Sequence, residues 1–176
     1  MNPRIISGKF KNQKLKVPQN ARPVTDRIKT SIFDTLGELI KNAQVLDLFA
    51  GSGSFGFEAL SRGANFCVFV DNDSEATNII LQNAQKLKLQ QDSFRVVKSS
   101  FKKFIKNCSE KFDIVFIDPP FNNLNSLVLD EVDEILNTNG IIILKWPSSQ
   151  SLNQTKYFLI LEKTLGSNKI YFLKKN

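Results

Sequence analysis

The chain contains no histidine. That absence removes the Ser-His-Asp and Cys-His nucleophile systems, histidine-ligated metal centres and the commonest general base near neutral pH. Two cysteines, Cys67 within an apolar strand pattern and Cys108 before a polar turn, are too few for a disulfide framework and form no C-x-x-C pair. No apolar run reaches the roughly 18 residues of a membrane span, and Lys9, Lys11 and Lys14 interrupt the start where a signal peptide would be apolar. A cytoplasmic protein with reduced thiols, no metal and no membrane association is expected. Its chemistry has to run with little acid–base help.

At 176 residues and 41% hydrophobic, the chain can bury one full core. Its charge is unevenly spread. Residues 1–30 hold eight basic side chains against the single acid Asp26, while the other 146 residues are balanced, so the net charge of +7 comes from the amino-terminal segment. A basic cluster on a neutral body suggests a docking surface for a polyanion. Ile5-Ile6 and Leu15-Lys16-Val17 flank Gly8 and Asn12-Gln13, which reads as a short hairpin. Thr25 then suits the cap of a helix whose apolar residues Ile28, Ile32, Phe33, Leu36, Leu39 and Ile40 recur at helical spacing. The expected division is a basic β-hairpin extension over 1–22 and a catalytic domain over 23–176.

Beyond it, strand patterns near 45–48, 66–70, 93–97, 113–117 and 140–145 alternate with helical patterns after Gly56 and near 74–88, 101–107 and 124–137. Ser74 suits the cap of the 74–88 helix, and Gly140 the stop before the fifth strand. Alternation of this kind predicts an α/β fold with a mostly parallel sheet covered on both faces and ligands at the strands' carboxyl ends. Two more strands, Tyr157 to Leu161 and Lys169 to Leu173, around Gly166-Ser167-Asn168 predict an antiparallel hairpin that finishes the sheet.

Two motifs sit at the expected strand ends. Val45 to Gly56, VLDLFAGSGSFG, is a strand, a glycine turn and the start of a helix on which Glu58 and Arg62 are expected to face outward. Gly51-x-Gly53-x-x-Gly56 matches the dinucleotide fingerprint, and Asp71 lies where that fingerprint expects its ribose acid. Asp47 argues against a dinucleotide, because an acid four residues before the first glycine would repel a pyrophosphate. S-adenosylmethionine has no phosphate and carries a sulfonium and an amino group, so an acid there attracts it. The second motif, Asp118-Pro119-Pro120-Phe121, follows the apolar run Ile114-Val115-Phe116-Ile117. Each proline fixes its own φ and biases its predecessor towards extended geometry, so the corner is stiff and the Pro119 carbonyl stays outside any helix. A carboxylate and that carbonyl can accept both N–H bonds of an exocyclic amine while Phe121 stacks on its ring. A loop carrying Asp and Pro for turn reasons alone is the plainer alternative.

Together RIISGKFKNQKLKVP, ARPVTDRIKTSIFDTL, LDLFAGSGSFGFEALSRGA and FDIVFIDPPF make the chain closely resemble the RsmD-type methyltransferases, over nearly its whole length and in order. The resemblance implies a Rossmann-like class I methyltransferase domain with a seven-stranded, mostly parallel sheet and an amino-terminal β-hairpin. It also implies S-adenosylmethionine as methyl donor, and as product the N2-methylated guanine of small-subunit (16S) ribosomal RNA within assembled or assembling particles. Carried over residue by residue, Asp47, Phe49, Gly51 and Gly53 form the donor turn, Asp71 holds the ribose, and Asp118, Pro119, Pro120 and Phe121 hold the amine. Where such enzymes usually place an acid after the third strand, this chain has Ser99-Ser100, leaving adenine binding to Asn72, Ser100, Phe101 and backbone. Arg4, Lys9, Lys11, Lys14, Lys16, Arg22 and Arg27 are the expected RNA contacts, on a monomer. Methylation of adenine N6, cytosine N4 or protein glutamine stays open beside guanine N2, because the Pro-Pro corner serves those amines as well. A nicotinamide oxidoreductase would leave Asp47 and the Pro-Pro corner without work, and a noncatalytic RNA-binding module would leave both motifs without work.

Overall fold

A computed structural model describes residues 3–19, 21, 23–120, 127–150, 152 and 156–175. Phe121 and Arg22 lie outside the described residues.

The elements alternate as the patterning implies: α1 (Asp26–Leu36), β1 (Gln44–Leu48), α2 (Ser54–Ser61), β2 (Phe66–Asp71), α3 (Ser74–Lys86), β3 (Phe94–Lys98), α4 (Phe101–Asn107), β4 (Phe112–Ile117), α5 (Leu127–Val132), β5 (Leu136–Pro147), β6 (Phe158–Leu165) and β7 (Asn168–Lys174). One seven-stranded sheet runs in the order β3-β2-β1-β4-β5-β7-β6. The first five strands are parallel; β7 returns antiparallel beside β5, and β6 pairs outside it. Among the described residues, no helix is long and apolar enough to cross a membrane.

Period-2 alternation divides the core between the two faces of the sheet. Val45, Cys67, Phe69, Ile114, Phe116, Ile143 and Phe172 pack with residues of α1, α2 and α3; Leu46, Leu48, Val68, Val70, Val115, Ile117 and Leu144 pack with α4 and α5. Helix α1 starts where Thr25 accepts a hydrogen bond from the Ile28 amide, which satisfies one of the donors a helix start leaves open.

Local punctuation differs from the sequence reading at two places. The cap of α3 is Asp73, whose carboxylate accepts from the Glu75 amide, so Ser74 is already the first helical residue. β5 begins at Leu136 and Gly140 lies inside it: β4 pairs Phe112 with Leu136 and then Ile114 with Ile141, so the extra β5 residues bulge there. A side chain at 140 would strike Leu136 Cδ1 at 2.6 Å, which accounts for the glycine.

The amino-terminal hairpin is minimal. One antiparallel bridge, Arg4 to Lys14, closes a loop of turns, and Ile5 and Leu15 insert into the α1–α3 face. Polar groups of the body fasten its backbone. Glu58, expected to face outward, is fully buried and accepts from the amides of Ile6 (2.7 Å) and Ser7 (3.1 Å) and from Arg62 Nε (2.8 Å). Lys29, counted above with the basic cluster, is also fully buried; its ammonium donates to the Arg4 carbonyl and lies 3.9 Å from Glu58. Burial lowers the Lys29 pKa and Glu58 opposes that shift. The helical wheel placed Glu58 in solvent because it could not include the chain that covers it.

Candidate active site

Strand register brings the chemistry-bearing residues to one edge. Leu48 pairs with Val70 and with Ile117, and Ile117 pairs with Leu144. The next residues, Phe49, Asp71, Asp118 and Lys145, therefore lie at one level, Phe49 and Asp118 just past their strands, Asp71 the last residue of β2 and Lys145 still within β5. Asp71, Asp118 and Lys145 have the parity of Phe69, Phe116 and Ile143, which puts them on the α1–α3 side, and Asp47 lies on that side two residues deeper.

The turn after β1 is tight and strained. Phe49 has φ +60°, a conformation that costs a non-glycine residue roughly 1 kcal/mol or more, and its ring sits 5.4 Å from that of Phe101. The glycines that follow differ in role. Gly51 (φ +55°) faces open space, with nothing within 4 Å of where a side chain would start. At Gly56 an added carbon would meet Phe69 Cε1 at 2.2 Å and Cys67 Sγ at 2.7 Å, so this glycine serves contact between α2 and β2. Ser54 Oγ, buried at the start of α2, has no hydrogen-bond partner among the described residues.

Three carboxylates converge on this turn. Asp47 is buried and its Oδ2 accepts from the Gly56 amide at 2.9 Å. Burial pushes its pKa well above the usual carboxylate range, the Gly56 amide opposes the shift, and Asp118 and Asp71 add to it. Asp71 accepts from the Gly51 amide (2.8 Å) and the Asp73 amide (3.0 Å), tying the glycine turn to the loop after β2. Its oxygens keep further lone pairs for hydroxyl donors. Asp118 Oδ1 receives Lys145 Nζ at 2.6 Å; burial raises its pKa while Lys145 pulls it back. Pro119 is buried and Pro120 exposed.

The expected adenine-side residues are less uniform. Asn72 is exposed in the β2–α3 loop and Phe101 stands beside Phe49. Ser100 spends its hydroxyl on capping α4, accepting from the Lys103 amide at 3.4 Å. Of the expected RNA contacts, Arg4, Lys9, Lys11, Lys14, Lys16 and Arg27 are exposed, Arg4 paired with Asp26 at 2.9 Å.

Sequence reasoning missed Lys145 and Asn83. Lys145 breaks the apolar run Ile141 to Trp146, a visible anomaly, but its partner depends on register. Asn83, wholly buried in α3, hydrogen-bonds both the Lys16 backbone and the Ser52 carbonyl.

A turn that offers an open glycine, an unsatisfied hydroxyl and one buried carboxylate beside two half-buried ones repels phosphate and fits a cationic donor such as S-adenosylmethionine. With the sheet order and the terminal antiparallel pair, it defines a class I methyltransferase fold. The ribosomal protein L11 methylase of Lactobacillus delbrueckii shares that fold at TM-score 0.70 and 20% identity, over 97% of this chain and 90% of that one. More narrowly, the chain belongs to the family described as "Conserved hypothetical protein 95", whose model matches residues 3–174. It is similar to the Ribosomal RNA small subunit methyltransferase D of Haemophilus influenzae, 36% identical over 171 residues that cover 93% of this chain and 89% of the relative. The solved structure of yhhF from Escherichia coli superposes at TM-score 0.90 and 31% identity, covering 100% of this chain and 99% of that one.

Proposed function

We propose that this protein transfers a methyl group from S-adenosylmethionine to the exocyclic N2 amine of a guanine in small-subunit ribosomal RNA. The observation that carries the reading is geometric: with Leu48 paired to Ile117, strand register brings the glycine turn after β1 and the Pro-Pro corner after β4 to one edge of the sheet. The similarity to a small-subunit ribosomal RNA methyltransferase supports RNA as the substrate.

S-adenosylmethionine supplies a methyl group on positively charged sulfur. Asp47 and Asp71 would hold its cationic and ribose portions, with Gly51 allowing close backbone approach. Guanine N2 is a weak nucleophile because its lone pair is delocalised into the ring. Asp118 and the Pro119 carbonyl accept its two N–H bonds, favour tetrahedral nitrogen and aim the lone pair. Phe121 offers the base a stacking surface in exchange for its RNA neighbours. Once methylated, the nitrogen is acidic enough to release its proton to an ordinary carboxylate or to water, which suits a chain without histidine. The segment up to Arg22 acts as an RNA-docking extension of the catalytic domain, and the protein works as a cytoplasmic monomer on assembled or assembling particles.

The test is Asp118→Ala. Cofactor affinity by calorimetry should stay within about threefold, and methyl transfer to unmethylated small subunits should fall by roughly 100-fold or more. Mass analysis of digested RNA should find N2-methylguanosine. Near-normal turnover rejects the Asp118 role, and a methylated adenine or cytosine rejects the guanine.

A further inference from the structure

We infer that Lys145 is a positioning residue for methyl transfer: its ammonium fixes Asp118 as an oriented anion, leaving the second carboxylate oxygen for the incoming amine. The inference rests on the role proposed for Asp118 and adds a residue on a different strand.

Geometry carries it. Lys145 lies within β5 one residue beyond the rung Ile117–Leu144, where Asp118 leaves β4, and the two side chains meet at 2.6 Å through Oδ1. Both are mostly shielded, with side-chain exposures of 15% and 19%, so water screens the pair weakly. Among the described residues two charged groups face Asp118: Lys145 from β5 and Asp47 from β1, the latter also facing Asp71 at the end of β2. Residues 119–126 contribute no ionisable side chain. Burial pushes Asp118 towards its neutral form, and Lys145 opposes it.

The protonation state decides what Asp118 can do. An ionised carboxylate only accepts hydrogen bonds, whereas a protonated one presents an O–H donor to an amine that must itself donate. A lysine anchored on Oδ1 also selects one carboxylate rotamer, directing Oδ2 to the cleft. This accounts for a charged residue in the otherwise apolar run Ile141 to Trp146.

The experiment is the pH dependence of kcat for Lys145→Met and Lys145→Arg, at saturating S-adenosylmethionine and saturating unmethylated small subunits. Saturation removes titration of Asp47 that acts on donor binding. In Lys145→Met the acid limb of kcat should move up by about one to three pH units, with activity returning towards wild type at high pH and donor KM little changed. Lys145→Arg should restore the wild-type limb. A uniform loss across pH with an unmoved limb overturns the inference, because a merely structural lysine would give that result. Should Lys145→Met fail to fold, carboxyl-carbon NMR of aspartate-labelled wild type decides, with Asp118→Asn identifying the signal. An Asp118 carboxyl ionised throughout neutral pH supports the inference, and one protonated there overturns it. Loss of turnover in Asp118→Ala beside an unmoved Lys145→Met limb sinks only the lysine's role, whereas active Asp118→Ala sinks the amine reading beneath it.

Discussion

Asn83 joins the basic segment to the glycine turn: its Nδ2 donates to the carbonyls of Lys16 (3.0 Å) and Ser52 (3.1 Å), and its Oδ1 accepts from the Lys16 amide (2.8 Å). All three bonds come from one fully buried side chain. Replacing it with leucine leaves backbone groups without partners, at about 1–3 kcal/mol for each buried group stranded. Asn83→Leu should therefore lose about 2–4 kcal/mol in urea unfolding. It should also weaken S-adenosylmethionine binding, because Ser52 lies in the donor turn. Normal stability would mean that solvent reaches these groups.

Asp47 gives a prediction of opposite signs. A carboxyl whose folded pKa lies above its unfolded value favours folding while protonated, and that contribution fades as pH rises from the ordinary carboxylate range through the raised value. The ligand-free protein should thus lose stability over that interval, and Asp47→Asn should remove the loss. At neutral pH this variant should melt a few degrees higher, as expected for about 1 kcal/mol in a chain of this length, while binding the cationic donor more weakly. In wild type, donor affinity should rise with pH over the same interval. Calorimetric melting and titration check both signs, and a destabilised Asp47→Asn contradicts the burial argument.

Gly51 and Gly56 separate binding from packing. Gly56→Ala drives a carbon into the Phe69 ring and Cys67 sulfur and should cost about 1–3 kcal/mol of stability. Gly51→Ala meets no atom and should cost only about 1 kcal/mol for its positive φ, but should weaken donor binding by about tenfold or more if the open space beside Gly51 takes the donor as proposed. Equal effects of the two on melting would argue against the division.

The exposed lysines carry the RNA prediction. Neutralising Lys9, Lys11, Lys14 and Lys16 together to glutamine should weaken RNA binding and flatten its salt dependence, by up to about 0.7–0.9 in log–log slope for each phosphate that no longer meets a lysine. Lys29 does not belong in that set, because its ammonium is buried against Arg4 and Glu58. An unchanged slope would remove the docking role.

What could be read from the sequence was local. The glycine turn, the Pro-Pro corner, the Thr25 cap and the terminal hairpin around Gly166 each depend on neighbouring residues, and each lies on the element that its local pattern predicts. What was hidden depended on chain that is distant in sequence. Glu58 looks like a surface acid until residues 3–18 cover it, and Lys145 looks like a break in a strand until β5 lies beside β4. The start of β5 is illegible in the sequence for the same reason, because a bulge is defined by the partner strand and not by Gly140 alone.

The alternation that sends Phe116 to one face and Ile117 to the other leaves no room for a misaligned but active enzyme. Slipping β4 by one residue would swing Asp118 towards α4 and α5 and present an isoleucine to the donor turn, while exchanging every packed side chain of the strand. Misthreaded molecules would thus be both unstable and chemically blank, so quality control that recognises loose packing also discards faulty catalysts.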